Sequence, residues 1–276
     1  MHIGVIIPFQ SEKDLIERFR QAKELSLESC QLSMWDPRQY TDNAAHAVRT
    51  AVEKTGLLIS ALWAGWSGPK EWNFTGGPST LGLVPESYRG IRLQELLEAS
   101  TFASKIGVTD VITHVGFLPE NPNDENYIGV VTALRHLAAV MAERDQYFLF
   151  ETGQETPVTL LRTIEDIGAK NLGINFDMAN LLLYGKANPA DALDIFGKYV
   201  RNVHCKDGLY PTNGRQLGQE KALGQGRVDL KLILKKLKDI GYDGPLTIER
   251  EISGPQQIHD IKEAQKLLLQ LLSDQK

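Results

Sequence analysis

Short apolar runs rich in β-branched and aromatic residues alternate along the chain with longer amphipathic stretches, in which apolar positions recur at helical spacing. Eight runs read as strands: Ile3–Ile7, Ser29–Met34, Leu57–Leu62, Thr109–Thr113, Tyr147–Phe150, Leu172–Phe176, Val200–Val203 and Pro245–Ile248. The stretches between and after them read as helices over Glu12–Leu25, Asn43–Lys54, Glu86–Ile106, Tyr127–Arg144, Val158–Ile167, Ala190–Tyr199, Leu230–Ile240 and Gln256–Leu272. Ser11 stands where the first would be N-capped. Gly56, Gly107, Gly168 and Gly241 are stop signals, each a few residues before a strand. Strands joined through helices pair in parallel by right-handed crossovers. Eight such units predict a closed (β/α)8 barrel, a TIM barrel, spanning residues 1–276 as a single domain. The rival, an open doubly wound sheet, generally has fewer strands, and no Gly-x-Gly-x-x-Gly follows the first one.

Two stretches do not fit the rhythm, Gly65–Pro85 and Gly208–Arg227. Both follow strands, on the barrel face that carries sites, and both are rich in Gly and Pro. They read as long loops whose polar residues could line a lid.

Composition narrows the classes of function. Of the 276 residues 42% are hydrophobic, enough for a large core, and the formal net charge of −5 argues against nucleic acid or an anionic membrane surface as partner. No apolar run reaches the length of a membrane span, and the first residues read as a strand and not as a signal peptide. Cys30 and Cys205 are far apart, with no disulfide framework or thiolate metal cluster. The expectation is a soluble cytoplasmic protein.

The candidate chemistry lies at the strand ends. Strand five runs into Glu151, strand six into Asp177, strand seven into His204 and strand eight into Glu249; strand four ends at His114. In a barrel these tips converge on one mouth. Any one of them alone has a bland role, Asp177 as a helix cap or His204 as a packed histidine. Four ligand types at four consecutive strand ends form a candidate site for one divalent ion, and an all nitrogen and oxygen set favours Mn²⁺, Mg²⁺, Co²⁺ or Zn²⁺. Side-chain alternation turns Lys206 to the same side as His204 and Cys205 to the other. Lys206 is therefore a candidate for a substrate oxygen or phosphate, and Arg215, Lys221 and Arg227 could also serve a phosphate. Trp35 follows strand two, and Trp63, Trp66 and Trp72 follow strand three; indole walls suit sugars, and Trp35 and Trp66 are the stronger candidates.

Three blocks carry a resemblance: Phe-Glu151-Thr-Gly-Gln-Glu155-Thr-Pro, Asn-Phe-Asp177-Met-Ala-Asn180-Leu-Leu-Leu-Tyr-Gly and Val-His204-Cys-Lys-Asp207. Leu-Gly-Gln-Gly226-Arg-Val-Asp229 and Thr-Ile-Glu249-Arg-Glu251 extend it. The chain resembles the sugar phosphate isomerase/epimerase family, within the xylose isomerase-like TIM barrels, over most of its length. The resemblance implies one divalent metal ion held by Glu151, Asp177, His204 and Glu249, with Glu151 and Glu249 doubling as acid/base groups. It implies a sugar or sugar-phosphate isomerase or epimerase acting through a metal-stabilised enediolate, with His114, Glu155, Asn180, Lys206, Trp35 and Trp66 around the substrate. It further implies a homo-oligomer, dimer or tetramer. Related epimerases often carry His three residues after the metal aspartate; here Asn180 stands there, which can hydrogen-bond a hydroxyl but cannot titrate. The same site could instead dehydrate a keto-inositol. The abasic-site endonuclease branch needs more histidine and aspartate ligands than this chain offers.

Overall fold

The structure, a computed structural model, describes residues 1–274. Eight parallel strands close into a barrel: β1 (His2–Pro8), β2 (Ser29–Met34), β3 (Leu58–Ala64), β4 (Asp110–Thr113), β5 (Tyr147–Glu151), β6 (Leu172–Asp177), β7 (Val200–Cys205) and β8 (Pro245–Ile248). Each strand pairs with its sequence neighbours, and β8 closes the ring on β1, with His2 opposite Pro245 and Val5 opposite Ile248. Outside run α1 (Leu15–Glu24), α2 (Asp42–Thr55), α3 (Glu86–Lys105), α4 (Glu125–Ala142), α5 (Pro157–Ile167), α6 (Pro189–Phe196), α7 (Leu230–Asp239) and α8 (Pro255–Ser273). The (β/α)8 barrel expected from the periodicity is therefore the fold. No helix among the described residues is long and apolar enough to cross a membrane.

Most of the core lies between strands and helices, where Phe19, Phe102, Phe148 and Phe196 are buried. The barrel interior differs. Ala61, Trp63, Ile112 and Leu149 form a small apolar cluster of their own. Beside it the polar Gln31, Asn175, Asn202 and His204 are all buried. Gln31 ties them together, donating to Asn175 Oδ1 at 3.0 Å and Asn202 Oδ1 at 3.4 Å and meeting the His204 ring with its Oε1, which offsets part of the cost of burial.

Boundaries moved where a cap decided them. Ser11 does not cap α1: it accepts from the backbone of Asp14 and donates to its side chain, and the helix starts after Asp14. Helix α4 begins two residues earlier than its apolar pattern, because Asp124 accepts from the Asn126 amide. The last turn before β7 tightens to a 3₁₀ turn over Gly197–Tyr199. Both long loops carry structure of their own. Residues 65–85 contain the short helix Gly77–Thr80, and the other loop is tied by a two-stranded ladder, Asp207–Gly208 against Glu220–Lys221. A further short helix, Asn180–Leu183, follows β6 and has too few apolar turns to stand out in the sequence.

Candidate metal centre

The register of β6 on β7 sets Asp177 directly beside His204, and that of β5 on β6 sets Glu151 beside Asn175. Glu249 follows β8, whose Thr247 lies beside His204. Each residue lies at or next to the carboxyl end of its strand, at the mouth of the barrel. Ligand atoms of Glu151, Asp177, His204 and Glu249 all lie within 4.8 Å of one another.

The protonation of His204 follows from its neighbours. Gln31 Oε1 lies 2.6 Å from His204 Nε2, while Gln31 Nε2 donates to Asn175 Oδ1 at 3.0 Å. Gln31 thus offers the ring an acceptor, so Nε2 carries the proton and Nδ1 faces the carboxylates. Nδ1 is 3.2 Å from Glu151 Oε1, 3.2 Å from Glu249 Oε2 and 3.5 Å from Asp177 Oδ2. A bare lone pair facing three carboxylate oxygens is repelled by all of them, so the point favours a positive charge, whether a proton on the ring or a cation among the oxygens. Burial opposes charge on the ring, yet Glu249 and Glu151 raise its pKa well above the ordinary value.

The carboxyls are tuned apart. Burial pushes Asp177 up to about 7, against the pull of Lys206. Burial also opposes ionisation of Glu249, but Lys206 and His204 hold it well below the usual carboxylate range. Glu151 is lowered as well, burial being outweighed by His114 and His204. Lys206, buried, has its ammonium 3.2 Å from Glu249 Oε2, 3.0 Å from Glu251 Oε1 and 3.3 Å from Asn180 Oδ1.

Asp177 performs one of the roles the sequence left open, the cap, and leaves its other oxygen available for the second. Its Oδ1 accepts from the amides of Ala179 and Asn180, capping the turn after β6. Its Oδ2 is buried without a hydrogen-bond partner, as are His204 Nδ1 and Glu249 Oε2. These three atoms at one point, in a set of three carboxylates and one imidazole, fit a divalent ion such as Mn²⁺, Mg²⁺, Co²⁺ or Zn²⁺. All four residues could serve as its ligands.

Above the cluster opens a cavity of about 510 Å³, lined by Trp35, Trp63, Trp72 and His114 together with Asn180, Glu249 and Glu251. Of the residues expected around a substrate, Trp35, His114 and Asn180 reach this lining. Trp66 does not. It is buried behind Trp35 and Trp72, with its indole N–H donating to Thr113 Oγ1 at 3.1 Å. Glu155 is likewise buried off the lining, and Lys206 lies beneath Glu249 and Glu251. Sequence reasoning undervalued Trp63, whose indole N–H donates to Glu151 Oε2, and Trp72, whose ring lies 5.1 Å from that of His114. It missed Gln31 altogether. A lone amide in the middle of a buried strand was the available signal.

A closed parallel barrel with a Glu–Asp–His–Glu cluster at the carboxyl ends of its strands defines a TIM barrel with a candidate metal centre at its mouth. The chain belongs to the xylose isomerase-like TIM barrel family, whose profile matches residues 19–271. It is similar to the crystal structure of a xylose isomerase domain protein from Planctomyces limnophilus, with 37% identity and a TM-score of 0.90 over 98% of this chain and 96% of the other. It also resembles a D-tagatose 3-epimerase-like protein, with 20% identity and a TM-score of 0.75 over 99% of this chain and 97% of that one. An uncharacterised protein of Methanocaldococcus jannaschii is 29% identical over 182 residues, 60% of this chain and 59% of that relative's length.

Proposed function

We propose that the protein is a metal-dependent isomerase or epimerase of an unphosphorylated ketose, working by proton transfer through an enediolate. One observation carries this reading. Two carboxylates, Glu151 and Glu249, each approach His204 Nδ1 to 3.2 Å at the floor of an indole-lined cavity. A divalent cation held by Glu151, Asp177, His204 and Glu249 would supply Lewis acidity, stabilising negative charge on the sugar oxygens.

The chain's own groups account for the rest. Lys206 keeps Glu249 ionised, and Trp63 with His114 fixes Glu151. Both glutamates therefore begin as proton acceptors. One removes the proton beside the carbonyl and becomes a carboxylic acid. It can give that proton to the neighbouring carbon while the hydroxyl proton passes to the former carbonyl oxygen, which isomerises. Or the other glutamate, having taken a proton from water, can give it to the opposite face while the first returns its own to water, which epimerises. Asn180 Oδ1 accepts from the Lys206 ammonium, which leaves its amide N–H groups to meet a sugar hydroxyl. The indoles of Trp35 and Trp72 offer apolar faces to the C–H side of the ring.

The charge balance supports a neutral substrate over a phosphate. Among the described residues Arg250 is the one Lys or Arg lining the cavity, and Glu220 and Asp260 hold it at 2.9 and 2.7 Å. Arg227 lines a separate hollow in the 208–227 loop, while Arg215 and Lys221 are not in the cavity wall.

The Mn²⁺-loaded protein, given ketoses in D₂O, should place deuterium on the carbon beside the carbonyl. Glu151→Gln and Glu249→Gln should each lower that exchange by about 10²–10⁴. Full exchange in both variants defeats the reading. A product lighter by one water assigns a dehydratase instead, and faster turnover of a ketose phosphate removes the neutral-substrate part.

A further inference from the structure

Helix α3 holds the 65–85 loop by one face. Arg89, Arg92 and Glu95 recur every three residues, so their side chains stack along the same side. Glu95 Oε2 accepts from the Ser67 amide at 2.9 Å. Arg89 Nε donates to Leu83 O at 2.9 Å and its Nη2 to Val84 O at 2.6 Å. Arg92, between them, is fully buried and among the described residues hydrogen-bonds no carboxylate. Its guanidinium instead donates to four loop carbonyls: Ser67 at 3.0 Å, Pro69 at 3.0 Å, Thr80 at 2.7 Å and Gly82 at 2.7 Å. These carbonyls come from both arms of the loop. The planar fork is also stacked, its centre 4.0 Å from the Trp66 ring and 4.6 Å from the Tyr88 ring.

Trp66 passes this anchoring to the cavity. Its ring centroid is 6.4 Å from that of Trp35 and 6.4 Å from that of Trp72, and Trp35 lies 5.9 Å from Trp72. Trp35 and Trp72 line the cavity; Arg92 and Trp66 do not. Arg92 thus acts on the site through two layers of aromatic rings.

We propose that Arg92 is a positioning residue: by gripping four carbonyls of the 65–85 loop it sets Trp66, and through it the Trp35–Trp72 wall, making this loop a fixed wall and not a lid. The clamp itself is independent of the proposed activity; only its use as a sugar wall rests on that reading. Lysine keeps the charge but is a single point that cannot span four carbonyls on two arms.

Of the four tryptophans of the chain, Trp35, Trp63 and Trp72 line the cavity and Trp66 backs them, so indole fluorescence reports on this wall and its backing alone. Arg92→Lys should red-shift the emission and raise its quenching by acrylamide by about twofold or more, while Mn²⁺ affinity stays within about twofold of wild type. With D-tagatose and D-fructose as probes, KM should rise by about tenfold and kcat change by less than about threefold. In the wild-type chain, the loop amides of Leu81 and Leu83 should exchange with D₂O as slowly as those of β3, a measurement that needs no variant. Unchanged quenching in Arg92→Lys, a parallel loss of Mn²⁺ affinity, or fast exchange of those wild-type amides overturns the proposal. If the wild type converts no ketose, the sugar reading fails while quenching and exchange still decide the clamp.

Discussion

The two long loops at the mouth are held by opposite means. The 65–85 loop closes on a buried cation, Arg92, which donates to four of its carbonyls. The 208–227 loop closes on a buried anion. Asp207 Oδ1 accepts from the amides of Gly208 at 2.8 Å and Val228 at 3.0 Å, and Oδ2 from those of Gly224 at 3.0 Å and Gly226 at 2.8 Å. In both loops one charge gathers backbone dipoles from distant parts of the segment, and among the described residues neither charge is hydrogen-bonded to an oppositely charged side chain. The difference teaches which glycines a loop needs. Around Asp207 the chain must bring amides close, and a Cβ at Gly226 would lie 2.1 Å from Asp207 Oδ1. Around Arg92 the carbonyls are reached by a long side chain, so close approach is needed elsewhere, at Gly82 against Val115.

Asp207→Ala tests the anionic side most severely. It strands four amides in a half-buried loop and should cost about 3–5 kcal/mol in urea unfolding, with new protease cuts within 208–227. A loss below about 1 kcal/mol would show that the loop does not depend on this carboxylate.

Glu155 sharpens the same comparison, since it is a buried carboxyl whose Oε1 has no hydrogen-bond partner. Burial pushes it up to about 7 from an ordinary 4.5. Between those values the folded chain keeps a proton that the unfolded chain releases, so this group's contribution to stability falls as pH rises through that window. Glu155→Gln stays neutral throughout. Its melting temperature should therefore match wild type near pH 4 and exceed it above pH 7, by an amount equivalent to roughly 2–3 kcal/mol. Parallel melting curves at all pH values would show that the Glu155 carboxyl is solvated.

The glycines give the smallest effects. Gly82 and Gly224 both have positive φ, at 66° and 84°. A Cβ at Gly82 would meet the Val115 carbonyl oxygen at 2.0 Å, whereas at Gly224 it meets only the end of the Leu267 side chain at 2.7 Å. Gly82→Ala should cost about 2 kcal/mol or more and Gly224→Ala about 1 kcal/mol. Equal losses would mean that backbone strain alone governs both, and that neither loop is held more rigidly than the other.

The strand order and the four ligand-type residues were legible because they depend on local facts. Alternating periods mark strands and helices, and a polar residue closing an apolar run marks a strand tip. Boundaries were less legible wherever a cap decided them, as at Asp14 and Asp124. The indole wall was read only in part. Trp66 and Trp72 belong to one loop, and nothing local says that Trp72 turns to the cavity while Trp66 turns back on Arg92.

By itself, then, the sequence determined the barrel and the cluster at its mouth, because period and strand-end chemistry are written in neighbouring residues. Only the tertiary structure decided which nitrogen of His204 faces the carboxylates, since that depends on Gln31, 173 residues away in sequence. It alone decided that Arg92 and Asp207 hold the loops. A buried charge is satisfied by whichever dipoles the fold brings to it, and those dipoles belong to the backbone, which carries no residue-specific signal.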